Sequence, residues 1–394
     1  MSPTYPPEKA SPTASSSRFD SSHSLPTRDD SGERRSGINP KTWTWKIWLI
    51  VGAVLAAIIV GATVGGVLGS RANAYPNYYR IEYQLKDTYA GDGFFDNFDY
   101  FTGYDPTHGF VHYVDEQGSM AQNLTQVTSS PISTSSSSAS LVSNSSQTYV
   151  LRVDTTDKNA TTGRRSVRLT STRTYSSGLF IFDVLHSPFG CATWPALWLS
   201  DPNNWPTNGE IDVMESVNVG DTGNQMTLHT SSGCQIGKNR KRKQTGKAIS
   251  YSCVNTTNGN EGCGVQGPDN TFGQAFNDIG GGVYTMELRS EGIRIWMFAR
   301  DAIPQDIKDQ NPDPSSWGTA LADFPNLECD IGSHFKNMSI IANIDLCGDW
   351  AGQASIFNAN SQCTGTCSDW VADQAESFED AYWEFGGMWV YEGK

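Results

Sequence analysis

Regular helical patterning is nearly missing from this chain. Beyond one uncharged segment near the start, no long stretch repeats its apolar residues every three to four positions, which excludes a helical bundle. Basic charge is scarce as well: 28 Lys and Arg stand against 42 Asp and Glu, and 7 of the basic residues fall in the first 46 positions beside 5 acidic ones. The remainder holds 28 − 7 = 21 basic and 42 − 5 = 37 acidic residues, a net charge of about −16. A field of that sign repels phosphate backbones and anionic head groups, so nucleic acid is excluded as a partner, whereas a neutral polymer such as a glucan is compatible with it. Histidine is sparse, with no ligand-like spacing, so no metal site is assigned.

Aliphatic residues are almost absent before Trp43, and residues 1–46 are rich in Ser, Pro and charge. Such a segment cannot bury enough apolar surface to fold, and it reads as a disordered tail. Charge then disappears altogether for the 23 residues from Ile47 to Gly69, enough for a transmembrane helix over 47–69. Arg28, Arg34, Arg35, Lys41 and Lys46 precede this span while only Arg71 and Arg80 closely follow it, and Trp43, Trp45 and Trp48 suit an interfacial belt. The pattern predicts a single-pass type II membrane protein with a cytosolic tail and residues 70–394 lumenal or extracellular.

Cysteine is missing from the first 190 residues. All eight, Cys191, Cys234, Cys253, Cys263, Cys329, Cys347, Cys363 and Cys367, lie beyond the span, as do five glycosylation sequons at Asn123, Asn144, Asn159, Asn255 and Asn337. An even set in an oxidising compartment reads as up to four disulfides, with 105 connectivities open. Cys363 and Cys367 could alternatively begin a zinc site, although no paired-His motif accompanies them.

What the outer region has instead of helices is rhythm. Short aromatic and β-branched runs recur between Gly, Asn, Asp and Ser clusters: Tyr149 to Val153, Ser166 to Leu169, Gly178 to Val184, Ala196 to Leu199, Ile211 to Glu215, Met226 to His229, Val283 to Leu288, Ile293 to Phe298 and Met338 to Ile344. This predicts an all-β sandwich. Trp370 to Trp383 is the best helical candidate, leading into a closing strand over Phe385 to Tyr391. A serine-rich stretch, Thr128 to Ser146, reads as an exposed insertion, and Lys238 to Lys247, with six basic residues, as a solvated loop containing a candidate dibasic processing site at Lys241-Arg242.

The chemistry concentrates in Asn208-Gly209-Glu210-Ile211-Asp212-Val213-Met214-Glu215. Three carboxylates in six residues sit within an apolar, strand-like run. On a regular strand Glu210 and Asp212 share a face while Glu215 points the other way. A β-bulge at Val213-Met214 would return Glu215 to the face of the other two. Acids that close cannot all stay ionised, so one proton is shared and at least one pKa is raised. A retaining glycosidase needs that pair of states; an acidic cation site or a solvated edge strand is the plainer alternative.

Nearby residues fit a sugar cleft. Trp194 and Trp205, beside Pro and polar residues, are candidate platforms for the apolar faces of sugar rings; Trp198 reads equally as platform or core. Asn208, which with Gly209 leads into the acidic strand, is a further candidate for binding substrate. His229, on the next strand, is placed across from the acids, where an imidazole can bond Asp212 or Glu215.

Glu210-Ile-Asp-Val-Met-Glu215, together with Trp194-Pro-Ala-Leu-Trp198, Thr227-Leu-His-Thr230, Trp317-Gly318 and Cys347-Gly-Asp-Trp-Ala-Gly352, resembles glycoside hydrolase family 16, in particular fungal laminarinase-like endo-1,3(4)-β-glucanases. Phe94-Phe-Asp-Asn-Phe98 and Asp105-Pro-Thr-His-Gly109 extend the resemblance over nearly all of residues 78–391. It implies a β-jelly roll with a concave substrate cleft and retaining chemistry, with Glu210 as nucleophile, Asp212 as modulator and Glu215 as acid/base. It implies no cofactor; a structural calcium ion is compatible with it, without assigned ligands. Three readings stay open: a hydrolase of β-1,3 or mixed 1,3/1,4 glucan linkages, a wall-remodelling transglycosylase using the same acids, and an inactive glucan-binding module.

Overall fold

The computed structural model of this chain describes residues 40–72, 74–132, 142, 146–237 and 243–394. The first 39 residues, most of the serine-rich insertion including Asn144, and Lys241-Arg242 lie outside the described residues. Contacts divide the chain into two units, Met1–Leu68 and Gly69–Lys394.

In the first unit, a helix begins at Trp45 and runs to Ala72. Its stretch Trp45–Val67, 23 residues with mean hydropathy 2.6, is long and apolar enough to cross a bilayer. Being apolar all round, it has no polar face to offer water.

The second unit contains the strands β1 (Tyr83–Tyr89), β2 (Phe98–Tyr100), β3 (Val111–Tyr113), β4 (Thr125–Thr128), β5 (Thr148–Arg152), β6 (Arg164–Ser166), β7 (Arg168–Tyr175), β8 (Gly178–His186) and β9 (Thr193–Ser200). It continues with β10 (Glu210–Glu215), β11 (Gln225–His229), β12 (Lys247–Ala248), β13 (Cys263–Gln266), β14 (Gly282–Arg289), β15 (Gly292–Ala299), β16 (Ala322–Pro325), β17 (Met338–Leu346) and β18 (Tyr382–Gly393). The strands expected from the sequence are present, most of them a residue or two longer, except that Ser166 to Leu169 is broken at Val167 into the end of β6 and the start of β7. Two eight-stranded sheets form a jelly-roll-like sandwich. One has the order β16-β15-β14-β8-β18-β5-β4, with β1 also on β18; the other runs β12-β13-β11-β10-β9-β17-β7-β2. Strands β3 and β6 form a small parallel pair.

Alternation decides what each sheet buries. In the second sheet Leu197, Leu199, Ile211, Met214, Met226, Leu228, Ile340, Ala342 and Ile344 point into the core, where they meet Phe180, Phe182, Tyr284, Met286, Phe385 and Met388 of the first. Each fully buried side chain of this size stabilises the fold by roughly 1.5–3 kcal/mol. The first sheet is covered on its other face too. Leu179, Ile181, Val283, Trp296 and Trp389 form a second cluster with Ile303, Ile307 and Trp317. Strand β8 is therefore buried along its whole length, which explains why its sequence, Gly178-Leu-Phe-Ile-Phe-Asp-Val-Leu-His186, does not alternate.

All eight cysteines are paired, as Cys191–Cys363, Cys234–Cys329, Cys253–Cys263 and Cys347–Cys367. The zinc alternative at Cys363 and Cys367 fails because each sulfur is bonded to a different, distant partner. Towards the end, the expected helix is shorter than the sequence suggested. It spans Cys367–Asp373, a 3₁₀ turn follows at Ala375–Phe378, and Tyr382 and Trp383 already belong to β18, where Trp383 is buried. Core burial of these aromatic side chains outweighs their helical spacing.

The bulge lies where the acids require it. Pairing with β9 matches Asp212 to Trp198 and Met214 to Leu197, leaving Val213 without a partner of its own. On the other side, pairing with β11 stops at Asp212 opposite Thr227. The backbone groups that the bulge takes off this ladder are recovered by one buried side chain. The Asn224 amide donates to the Val213 carbonyl and its Oδ1 accepts from the Glu215 N–H, each at 2.8 Å. Replacing it leaves two buried backbone groups without partners, each costing about 1–3 kcal/mol. Asn224→Ala should thus lower the unfolding free energy by about 2–4 kcal/mol in urea titrations; unchanged stability would mean that Asn224 does not hold the bulge.

Candidate active site

Glu210, Asp212 and Glu215 face Ser200, Trp198 and Ala196 across β9, three residues spaced by two. Residues spaced by two share a face of a sheet, so the extra residue Val213 has brought all three acids to one surface. The same rule extends the surface outward. On β17, Asn343 pairs with Ala196 and Asp345 with Trp194; on β7, Arg168 pairs with Asn343. These side chains line a cleft of about 570 Å³, together with Phe101, Tyr104, Trp205 and Asn260. Its size and its mix of rings with a few polar groups are those of a ligand site.

His229 lies directly across β11 from Glu210. Its Nε2 is 3.4 Å from Asp212 Oδ2 and its Nδ1 is 3.0 Å from Asn260 Oδ1. Both neighbours are acceptors, which favours a proton on each nitrogen. Burial alone would lower the pKa of this ring. The bond to Asp212 and the charges of Glu210, Asp212 and Glu215 outweigh that and raise it to about 9.

The two glutamates move upward as well. Burial first, and then the Asp212 charge, raise Glu210 to about 7 and Glu215 to about 8. Opposing forces differ between them. At Glu210 the His229 charge, a bond from Trp205 and the Arg168 charge pull the value down. At Glu215 the Trp194 indole, donating to Oε1 at 2.8 Å, and the His229 charge do so. Both glutamates thus hold their protons more tightly than free carboxyls do. Carboxyls pressed together in this way share protons, so the face offers both protonation states, with Asp212 between the two glutamates in sequence.

Glu210, Asp212 and His229 each bring a ligand atom within 4.8 Å of the others, a set of donors that fits a divalent cation. Metal binding needs the neutral imidazole, and the raised pKa of His229 opposes it.

Trp194 and Trp205 stand in the cleft as expected, Trp205 with 41 % of its surface exposed. Trp198 is not a core residue. It also lines the cleft, its indole donates to Asn343 Oδ1 at 2.8 Å, and the Arg168 guanidinium lies 5.0 Å from its ring. Asn208 does not line the cleft: its side-chain amide donates to Asp201 Oδ2 at 2.7 Å, fastening the loop before β10. Of the sequons, Asn123, Asn159 and Asn337 are exposed and Asn255 is half-buried.

The sequence reading missed Arg168, Asn343 and Asp345. Their signal was present, since Asn343 and Asp345 are two polar residues spaced by two in the otherwise apolar run Met338–Leu346. Asn260, in a loop before β13, left no such pattern.

Comparison with known proteins agrees with this geometry. The sequence model of the XgeA-like catalytic domain of glycoside hydrolase family 16 matches residues 98–391. A probable glycosidase of Schizosaccharomyces pombe is 42% identical over 322 residues, 81% of this chain and 71% of that protein. An endo-1,3(4)-β-glucanase of Emericella nidulans is 36% identical over 79% of this chain, and the chain spans 47% of its length, as it spans only about half of most such fungal relatives. Among solved structures, laminarinase 16A of Phanerochaete chrysosporium, with β-glucans in donor and acceptor sites, is 42% identical and superposes with a TM-score of 0.71 over 79% of this chain and 99% of that one. An elongating family 16 β-1,3-glucosyltransferase is 38% identical, with a TM-score of 0.69 over 79% of this chain and 100% of its own. By its sequence, its sandwich and its bulged acidic strand, this chain belongs to glycoside hydrolase family 16.

Proposed function

We propose that this chain is an endo-acting, retaining β-glucanase that cleaves β-1,3 or mixed β-1,3/1,4 linkages. The observation that carries the reading is the bulged strand, which turns Glu210, Asp212 and Glu215 into the same cleft. Glu210, as carboxylate, attacks the anomeric carbon. Glu215, held protonated by burial and by the Asp212 charge, gives its proton to the departing glycosidic oxygen and then, as carboxylate, takes one from the incoming water. Asp212 pairs with the His229 imidazolium and so prevents a third uncompensated charge from collecting beside the nucleophile. His229 acts through Asp212 as a positioning residue. Trp194, Trp198 and Trp205 offer flat surfaces to the sugar rings.

A second outcome of the same intermediate is favoured by one finding, the 38% identity to an elongating β-1,3-glucosyltransferase. If a sugar hydroxyl reaches the glycosyl-enzyme before water does, the product is a longer glucan. The acids serve both reactions alike, so the ratio depends on what the cleft admits on its acceptor side.

We further propose that residues 70–394 form the catalytic domain, lumenal or extracellular, held by a transmembrane helix over 47–69 with the residues before it on the cytosolic side. Four disulfides, exposed sequons able to carry N-glycans, and the basic excess before the span support that topology.

Incubation of the protein with a β-1,3-glucan oligosaccharide, followed by mass spectrometry, should yield shorter products that vanish in Glu210→Gln and Glu215→Gln while both variants stay folded. Products longer than the starting sugar would favour transfer, and no change with wild-type protein would overturn the enzymatic reading. The pH profile of kcat/KM adds a sharper check. The His229 charge lowers both glutamate pKa values, so His229→Gln should move both the acid and the alkaline limb to higher pH. The Trp194 bond lowers only Glu215, so Trp194→Phe should move the alkaline limb upward and leave the acid limb in place. Profiles that coincide with wild type would contradict the assigned proton positions.

A further inference from the structure

A second cavity, of about 520 Å³, shares no residue with the cleft. It is built where the chain enters β9 and where it leaves β10, from Phe189, Gly190 and Cys191 on one side and Val219 and Asp221 on the other. The segment Asn360 to Trp370 and the turn at Ser377 to Asp380 close it. Nothing in the acid chemistry of the cleft uses these residues.

The lining has a definite character. Phe189 and Trp370 present half-buried rings, and Gln274, Asn360, Gln362 and Asp221 surround them with amide and carboxylate groups. Among the described residues, no hydrogen bond to a protein group uses the side-chain amides of Gln274 and Gln362. No Lys, Arg or His lines the cavity. Phosphates, acidic peptides and anionic polysaccharides therefore find no counter-charge there. Rings beside free amides and carboxylates suit a neutral ligand with one apolar face and a ring of hydroxyls.

The walls are fixed before any ligand arrives. Cys191 is bonded to Cys363. The Phe189 N–H donates to the Asp380 carbonyl at 3.2 Å and the Gly190 N–H to the Asn218 carbonyl at 2.9 Å. The Trp370 indole donates to Ser377 Oγ at 3.0 Å, and the Gln362 N–H to Asn360 Oδ1 at 2.9 Å. A ring held in place by its own hydrogen bond loses little freedom on binding.

The main cleft likewise sets tryptophan rings among amides and carboxylates, with Arg168 added. We propose that this groove is a second binding site for a neutral β-glucan chain, an inference that rests on the glucanase reading of the cleft. It would hold polymer apart from the acids while another segment is processed. Two sites joined by one long chain raise the effective concentration of substrate at the cleft, a gain that short oligosaccharides cannot share.

The test compares Gln274→Ala/Gln362→Ala, whose side chains carry no protein contact that folding needs, with Trp370→Ala. Retention on insoluble β-1,3-glucan is measured in a Glu210→Gln background, so that the polymer is not cut. Turnover of a β-1,3-linked glucose pentamer is measured with Glu210 intact. The expected result is at least a fivefold loss of retention in both variants, with pentamer turnover unchanged in the amide double variant. Retention equal to that of the parent in both variants overturns the second site, as does a parent that is not retained at all. A wild-type protein that is retained but does not turn over the pentamer would instead count against the glucanase reading, and the comparison of retention would still decide the groove.

Discussion

Three carboxylates on one face of one strand have to coexist in a cleft that water only partly reaches, and the neighbouring structure is arranged around that charge. Coulomb repulsion between groups so close, in a medium of reduced dielectric, is worth several kcal/mol. The cleft relieves it twice. The His229 imidazolium pairs with Asp212, and the two glutamates are left to share roughly one proton, as their raised pKa values indicate. What remains is close to a single negative charge. That charge is where a positively charged, oxocarbenium-like sugar would develop in the reaction.

The arrangement has a thermodynamic consequence. Glu215 binds its proton more tightly in the folded chain than an ordinary glutamate, whose pKa is 4.5. A carboxylate shifted upward does not penalise folding below its unfolded pKa, where it is protonated in both states. It destabilises the fold increasingly as pH rises from there to its folded value, because the unfolded chain releases the proton first. His229 works in the opposite sense. Its folded pKa is raised, so the stability it contributes is complete below the ordinary histidine value of 6.5 and fades as pH climbs through about 9. Functional sites commonly retain such strain because activity depends on it.

Most of the site was legible in the sequence because its parts are local. The spacing of Glu210, Asp212 and Glu215 demanded an inserted residue, and pairing with β9 shows Val213 to be that residue. His229 could be placed because the strand after the acids had to lie beside them. The strands were visible for the same reason, each a short apolar run between turn-forming residues. What was not legible depends on distant contacts. Asn224 looks like any loop asparagine until the bulge presents it with a free carbonyl and a free N–H. The disulfide partners are set by how the loops close over the sandwich, which spacing alone does not reveal. Trp198 could be assigned to core or cleft only once its register opposite Asp212 was known, and Asn208 was misjudged because its partner Asp201 lies in the same turn. The continuous burial of β8 likewise comes from a second layer of side chains folded over the outer sheet.

The central claim is that Glu210, and neither of the other two acids, attacks the sugar. An activated 2-deoxy-2-fluoro β-1,3-glucobioside slows both steps and lets a glycosyl-enzyme accumulate, and peptide mass spectrometry then locates the ester. The expected result is one fluorinated disaccharide, the probe less its leaving group, on the peptide containing Glu210–Glu215, with fragment ions assigning it to Glu210 and with no label in Glu210→Gln. A label on Asp212 or Glu215, or inactivation without any covalent adduct, would contradict it.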